Sequence, residues 1–212
     1  MLIDISRELK AGMAVWPGDT AFQLEQTMAL AQGDAVNLTT LTLSAHSGSH
    51  IDAPSHFSAG GPAVEQLALA PYWGLAQVVT VDRQSGPLFP DDFNTYDLGR
   101  APRLLVRSSE AAVDPELFPD HFIYPSPELA GFLGRQGITL YGTESPSMDP
   151  VDSKSLQGHQ AMRRNQIAIL EWLDLSLAAD GLYELVALPL KISGGDGSPV
   201  RAVLRQTALE TG

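Results

Sequence analysis

The chain of 212 residues contains no cysteine. This absence excludes a disulfide framework, a thiolate nucleophile and a metal site with cysteine ligands. Any metal ion bound by this protein must therefore be held by histidine, aspartate or glutamate. The N-terminal segment carries acidic residues and has no continuous apolar run, so it does not resemble a signal peptide, and we expect a cytoplasmic protein.

Basic residues are also scarce, since 13 Lys and Arg stand against 25 Asp and Glu and give a formal net charge of −12. A chain this acidic repels the phosphate backbone of nucleic acids and the surface of anionic membranes. No apolar stretch approaches the ~18 residues that a membrane span needs. We therefore expect neither a nucleic-acid partner nor a membrane partner.

The composition, with 44% hydrophobic and 18% charged residues, is typical of a chain with a packed core. The length predicts a single domain that spans residues 1–212. Most apolar segments are short and rich in β-branched residues, and they outnumber the helical ones, so we predict an α/β domain with a β-rich core. The predicted strands lie at 2–5, 35–45, 75–82, 103–107, 138–142, 167–173, 183–192 and 200–205, and we expect the strand at 35–45 to be half-buried.

Two helices are predicted in the second half of the chain. The first spans residues 127–136, because Ser126 suits the N-cap, Pro127 suits the first helical position and Gly137 suits the position after the end. The second spans about residues 154–164, where apolar residues and a histidine recur at helical spacing.

The segment SAHSGSHIDAPSHF, residues 44–57, holds three of the five histidines of the chain. His46 and His50 must be separated by about 13 Å if the chain is a straight strand, at ~3.3 Å per residue. Two nitrogens on one zinc ion lie roughly 3–4 Å apart, so a shared ion requires a bend between them, and Gly48 has the backbone freedom for it. With Asp52 two residues further on, the segment offers imidazoles and a carboxylate, a donor set that suits zinc or manganese.

A structural role is also open for each candidate at this point. The histidine cluster and Asp52 could be polar residues of a loop. His159 could be a packing residue on the second helix. Glu171 lies in the apolar run IAILEWLDL, where a buried carboxylate needs a partner or a metal, but it could also face outward. Trp16 could anchor its loop by packing, or it could form the wall of a substrate pocket.

The sequence HSGSHIDAPSHF of residues 46–57 resembles the H-x-G-T-H-x-D-x-P-x-H-F signature of the metal-dependent cyclase-like hydrolases. Within that family the chain is most similar to the bacterial kynurenine formamidases (arylformamidases). The likeness runs nearly from end to end and includes WPGD near the start, TESPSMDPVDSK in the middle, and YELVALPLKI and PVRAVLR near the end. Two departures are Ser49, where the signature has threonine, and Gln160, where relatives often carry a histidine.

The resemblance implies roles for seven residues. His56 matches the proton donor and acceptor of the family, and Trp16 matches a tryptophan that contacts the substrate. Asp52 and Glu171 match carboxylates that bridge two metal ions. The implied cofactor is Zn²⁺, two ions per subunit with Mn²⁺ as the alternative, and the implied ligands are His46, His50, Asp52, His159 and Glu171.

The resemblance also implies a β-barrel-like core with peripheral helices and a homodimer. The implied reaction is the hydrolysis of a small-molecule substrate, N-formyl-L-kynurenine, to L-kynurenine and formate in tryptophan degradation. One alternative is a related hydrolase that acts on an isatin-like lactam or another arylformamide. A second alternative is a metal-stabilised binding protein without turnover, although the position of His56 beside the ligands argues against it.

Overall fold

The computed structural model describes residues 1–109 and 116–206, and these residues form thirteen β-strands and two α-helices. The helices are α1 (Pro127–Arg135) and α2 (Gln157–Arg164). The strands are β1 (Leu2–Asp4), β2 (Gln23–Met28), β3 (Leu38–Thr42), β4 (His50–Asp52), β5 (Trp73–Val81), β6 (Gly86–Leu88), β7 (Arg103–Ser108), β8 (Ile123–Pro125), β9 (Leu140–Thr143), β10 (Ala168–Glu171), β11 (Gly181–Val186), β12 (Gly197–Pro199) and β13 (Val203–Gln206).

Nine strands form one sheet in the order β1-β13-β11-β5-β7-β9-β10-β4-β12. The four central strands β5, β7, β9 and β10 are parallel to one another, whereas the pairings at both ends of the sheet are antiparallel. Central parallel strands are normally covered on both faces, and here their adjacent residues are buried in two different clusters. Leu105 contributes to one cluster, for example, and its neighbour Leu104 contributes to the other.

The first of these clusters shows that the sheet is curled. It joins Ile5 and Leu204, near one end of the sheet, to Ile51 and Leu170, near the other. Side chains from opposite ends can share a core only if the sheet bends around them. The helices contribute to the second cluster, on the outer face, through residues such as Leu133 and Met162. The prediction of a β-rich, barrel-like core with peripheral helices is therefore confirmed.

The predicted signals at the ends of α1 are also confirmed. The Ser126 side chain accepts a hydrogen bond from the backbone N–H of Leu129, Pro127 occupies the first turn, and Gly137 follows the helix with φ of +81°. The second helix begins at Gln157, later than predicted. Neither described helix is long and apolar enough to cross a membrane.

Two predicted strands differ from the structure. The segment predicted as a half-buried strand at 35–45 forms β3, which pairs with β2 in a separate hairpin, and every residue of these two strands is exposed. The reason is that this hairpin does not join the main sheet, so its apolar side chains have little of this chain to pack against. The strand predicted at 183–192 ends at Val186, shortly before Pro189, which has no N–H to donate to a ladder.

Candidate active site

The pairing of β4 with β10 brings the first three candidate ligands together. In this antiparallel register Glu171 lies opposite His50, and Asp52 lies opposite Ile169. Residues 50 and 52 point to the same side of β4 while Ile51 packs in the core. As a result the His50 Nε2 atom lies 3.4 Å from Glu171 Oε2 and 3.5 Å from Asp52 Oδ1. Glu171 is buried and faces this cluster, so the interpretation that it points outward is wrong.

The turn before β4 brings His46 to the same point. Gly48 has φ of +62°, a left-handed conformation that glycine adopts without strain, and the chain bends here as predicted. The His46 Nδ1 atom lies 3.0 Å from Asp52 Oδ1. The Gly48 carbonyl oxygen accepts a hydrogen bond from His50 Nδ1 at 2.8 Å, which leaves His50 Nε2 to face the two carboxylates.

The fifth candidate ligand, His159, enters from α2 and is held by a residue that the sequence did not reveal. Asp149 accepts hydrogen bonds from the backbone N–H groups of Gly158 and His159 at the start of the helix. Its Oδ2 atom also lies 2.6 Å from the Nδ1 atom of the His159 ring. The Nε2 atom is thereby directed at Asp52 Oδ2, 3.3 Å away, and at Glu171 Oε1, 3.6 Å away.

The arrangement of these donors fits a metal ion. Both carboxylate oxygens of Asp52 and the Oε1 atom of Glu171 are buried and accept no hydrogen bond within the described residues. They nevertheless lie within 3.0–3.6 Å of imidazole nitrogens. Buried oxygens without donors are costly unless a cation satisfies them. Two overlapping groups have metal-ligand spacing, one of His46, Asp52 and His56 and the other of His50, Asp52 and Glu171.

The pKa values of the metal-free cluster also indicate that its carboxylates require positive charge nearby. Burial acts to lower the pKa of His46, but contact with the Asp52 carboxylate outweighs it and raises that pKa to about 9. Burial also acts to lower the pKa of His159, but contacts with Asp149 and Asp52 outweigh it and raise that pKa to about 10. Burial and the nearby charge of Asp52 raise the pKa of Glu171. Without a metal ion, protons therefore supply the positive charge that this cluster requires.

We expect metal binding to release protons at neutral pH. His46 and His159 are protonated near neutral pH in the metal-free protein because their pKa values lie at about 9 and about 10. An imidazole must be neutral to bind a metal ion, so binding displaces on the order of two protons and affinity rises with pH up to that range. Calorimetric titration of metal into chelated protein, in buffers of different ionisation enthalpy, measures this number. Binding without proton release would contradict the assignment of these two ligands.

His56 lies beside the cluster and is held by a second residue that the sequence did not reveal. Asp196 precedes β12, and its Oδ2 atom lies 3.3 Å from His56 Nδ1 and 3.3 Å from His46 Nε2. A Cβ atom at the following residue, Gly197, would lie 2.7 Å from the His46 ring, so glycine is needed for this close approach. The Gln160 side chain donates a hydrogen bond to the carbonyl of Phe57, and so supports the segment that carries His56.

A cleft of about 350 Å³ opens onto the cluster. Trp16 lines it and is fixed by an edge-to-face contact with Phe118, whose ring centroid is 5.2 Å away. Trp172, which follows Glu171 with a strained φ of +58°, also lines the cleft. Six of the seven predicted residues therefore line one cavity, and the seventh, Asp52, is buried. The six are Trp16, His46, His50, His56, His159 and Glu171.

Comparisons with known proteins agree with this arrangement. The family model named Cyclase, described as a putative cyclase, matches residues 3–150, which is more than half of the chain. The chain belongs to the cyclase family. Its relatives include the kynurenine formamidase of Salinibacter ruber, 41% identical over 205 residues, which are 96% of this chain and 97% of that protein. The kynurenine formamidase of Bacillus anthracis is 41% identical over 203 residues, 96% of each chain. The resemblance drawn from the sequence is confirmed.

Solved structures show the same cyclase fold. A protein described as a potential metal-dependent hydrolase with cyclase activity matches with a TM-score of 0.82, 23% identity and coverage of 98% of this chain and 99% of that chain. Isatin hydrolase A from Labrenzia aggregata matches with a TM-score of 0.80, 24% identity and coverage of 96% and 93%. At these identities the likeness establishes the fold of the chain.

Proposed function

We propose that this protein hydrolyses N-formyl-L-kynurenine to L-kynurenine and formate, a reaction of tryptophan degradation. The observation that carries the proposal is the 41% identity, over 96% of this chain, to proteins named kynurenine formamidase. The cluster of imidazoles and carboxylates at the base of the cleft supports it, because a formamide carbonyl is a weak electrophile that needs such a site.

The proposed cofactor is zinc, two ions per subunit, with manganese as the alternative. Asp52 and Glu171 would bridge the ions, since their oxygens face imidazoles on both sides. His46 and His50 would complete one site and His159 the other. When bound, such ions lower the pKa of a coordinated water and polarise a carbonyl oxygen.

His56 is the proposed proton carrier. Hydrolysis breaks the bond between the formyl carbon and the aryl nitrogen, and this nitrogen is too basic to leave without a proton. His56 would take a proton from the attacking water and deliver it to the departing nitrogen. Asp196 faces its Nδ1 atom, so the Nε2 atom is left to exchange the proton with the substrate. The ring of Trp16 would pack against the aromatic ring of the substrate.

The proposed assembly is a homodimer, and the hairpin of β2 and β3 is the proposed contact surface. Its strand residues are all exposed, so a single chain leaves several apolar side chains of this hairpin in water, and exposed apolar surface of this kind marks interaction sites. The mass in solution, measured by light scattering, is expected to be twice that of one chain, and a monomeric mass would contradict this part. The apolar side chains concerned are Leu24, Met28, Leu30, Val36, Leu38 and Leu41.

A substrate comparison tests the proposed reaction. The rates of hydrolysis of N-formyl-L-kynurenine, formanilide and isatin are measured on the zinc-loaded protein under one set of conditions. We expect kcat/KM to be highest for N-formyl-L-kynurenine. Faster hydrolysis of isatin would contradict the proposed substrate and indicate a lactam hydrolase. If none of the three compounds is hydrolysed, the proposal of an amide hydrolase is wrong.

A further inference from the structure

We propose that Asp19 forms a subsite for the α-ammonium group of an amino-acid substrate at the mouth of the cleft. This inference rests on the proposed function and adds to it, because the metal cluster, His56 and Trp16 account for the formamide and the aromatic ring but not for the amino-acid end of the molecule.

The turn that carries Trp16 also positions Asp19. The backbone N–H of Asp19 donates a hydrogen bond to the Trp16 carbonyl oxygen at 2.9 Å. The Asp19 Oδ1 atom accepts a hydrogen bond from the N–H of Thr20 at 2.6 Å, which leaves the Oδ2 atom for another donor. The Trp16 ring is fixed against Phe118, and Trp16 and Asp19 both line the cleft, so the carboxylate and the proposed binding surface for the aromatic ring belong to one cavity.

The charges around the cleft favour a cationic group at this position. No lysine or arginine is among the residues that line the cleft within the described part of the chain. Two carboxylates line the cleft, and one of them, Glu171, belongs to the buried cluster. Asp19 is therefore the lining carboxylate that has no assigned role. An ammonium group beside it would gain a charge-assisted hydrogen bond, which is stronger than a neutral one.

Two serines that also line the cleft offer donors for the carboxylate of the same substrate. The Ser153 hydroxyl accepts a hydrogen bond from the N–H of Leu156 at 3.2 Å, and the Ser147 hydroxyl accepts one from the N–H of Asp149 at 3.2 Å. Each hydroxyl proton is left to donate to an acceptor in the cleft. A carboxylate oxygen is such an acceptor.

This arrangement selects substrates by their charged end. An arylformamide that carries an α-amino acid would engage both Asp19 and the two serines. A neutral lactam or formanilide has no group that replaces the ammonium, so it would lose this contribution. The subsite therefore predicts discrimination within the cleft that the metal cluster alone cannot provide.

The test compares Asp19→Asn with Asp152→Asn. The control removes the same charge from an exposed neighbour of the cleft, since Val151 and Ser153 line the cleft but Asp152 does not. For Asp19→Asn we expect the ratio of kcat/KM for N-formyl-L-kynurenine to that for formanilide to fall about tenfold, through a higher KM for the amino-acid substrate. For Asp152→Asn the ratio is expected to stay close to the wild-type value.

A binding measurement separates failure of the subsite from failure of the proposed reaction. The affinity of the zinc-loaded protein for L-kynurenine and for its analogue without the amino group is measured by calorimetry, which requires no turnover. We expect wild type to prefer L-kynurenine and Asp19→Asn to lose that preference. Equal affinity for both compounds in wild type, or an unchanged preference in Asp19→Asn, overturns the subsite whatever the enzyme hydrolyses.

Discussion

Replacing Asp52 by asparagine is expected to empty the metal centre and to lower turnover by on the order of 10³-fold or more. Both oxygens of Asp52 face imidazole nitrogens, Oδ1 towards His46 and His50 and Oδ2 towards His159. Asparagine keeps the shape of the side chain but removes its charge and replaces one oxygen by an N–H₂ group, which cannot bind a cation. Metal content by elemental analysis and kcat/KM on N-formyl-L-kynurenine measure the two effects.

Loss of the fold is not the expected explanation for this result. In the metal-free protein the Asp52 charge contributes to raising the pKa of Glu171, so its removal relieves repulsion between the two carboxylates. Circular dichroism of the variant should therefore match that of chelated wild-type protein. The exposed Asp152→Asn substitution serves as the control, with normal metal content and turnover. A variant Asp52→Asn that retains both bound metal and turnover would reject Asp52 as a ligand.

The second large effect is expected for His56→Gln, which should lower kcat by about 10²- to 10⁴-fold while the metal content stays at the wild-type value. Glutamine can keep a hydrogen bond to Asp196, but it cannot take up and release a proton near neutral pH.

The metal content of this variant distinguishes two roles for His56. The residue has ligand spacing to His46 and Asp52, so the geometry alone permits it to bind an ion. If the variant loses metal together with activity, His56 is a ligand and another group moves the proton. A wild-type kcat in the variant would show that His56 takes no part in the reaction.

The features that could be predicted from the sequence are those with a local cause. The ends of α1 follow from Ser126, Pro127 and Gly137, each of which acts on backbone groups within a few residues. The bend at Gly48 follows from the backbone freedom of glycine, at the point where His46 and His50 would have to approach each other to share a metal ion. For Glu171 the sequence left two orientations open, buried with a partner or facing outward. The pairing register with β4 that buries Glu171 exists only in the folded sheet and could not be predicted from the sequence.

The features that sequence reasoning missed depend on contacts between distant parts of the chain. Asp196 lies 140 residues from His56, and no spacing rule links the two. Asp149 is closer to His159, but its role depends on where α2 begins, and that start was predicted too early. The exposure of β3 could not be predicted from its richness in β-branched residues, because this composition does not indicate whether the hairpin joins the main sheet.

The most direct test of the account is the release of L-kynurenine and formate from N-formyl-L-kynurenine by the protein as purified, after chelation, and after zinc is restored. We predict turnover in the first state, its loss after chelation and its recovery with zinc. Turnover that survives complete removal of metal would contradict the assignment of the buried histidines and carboxylates as a catalytic metal centre.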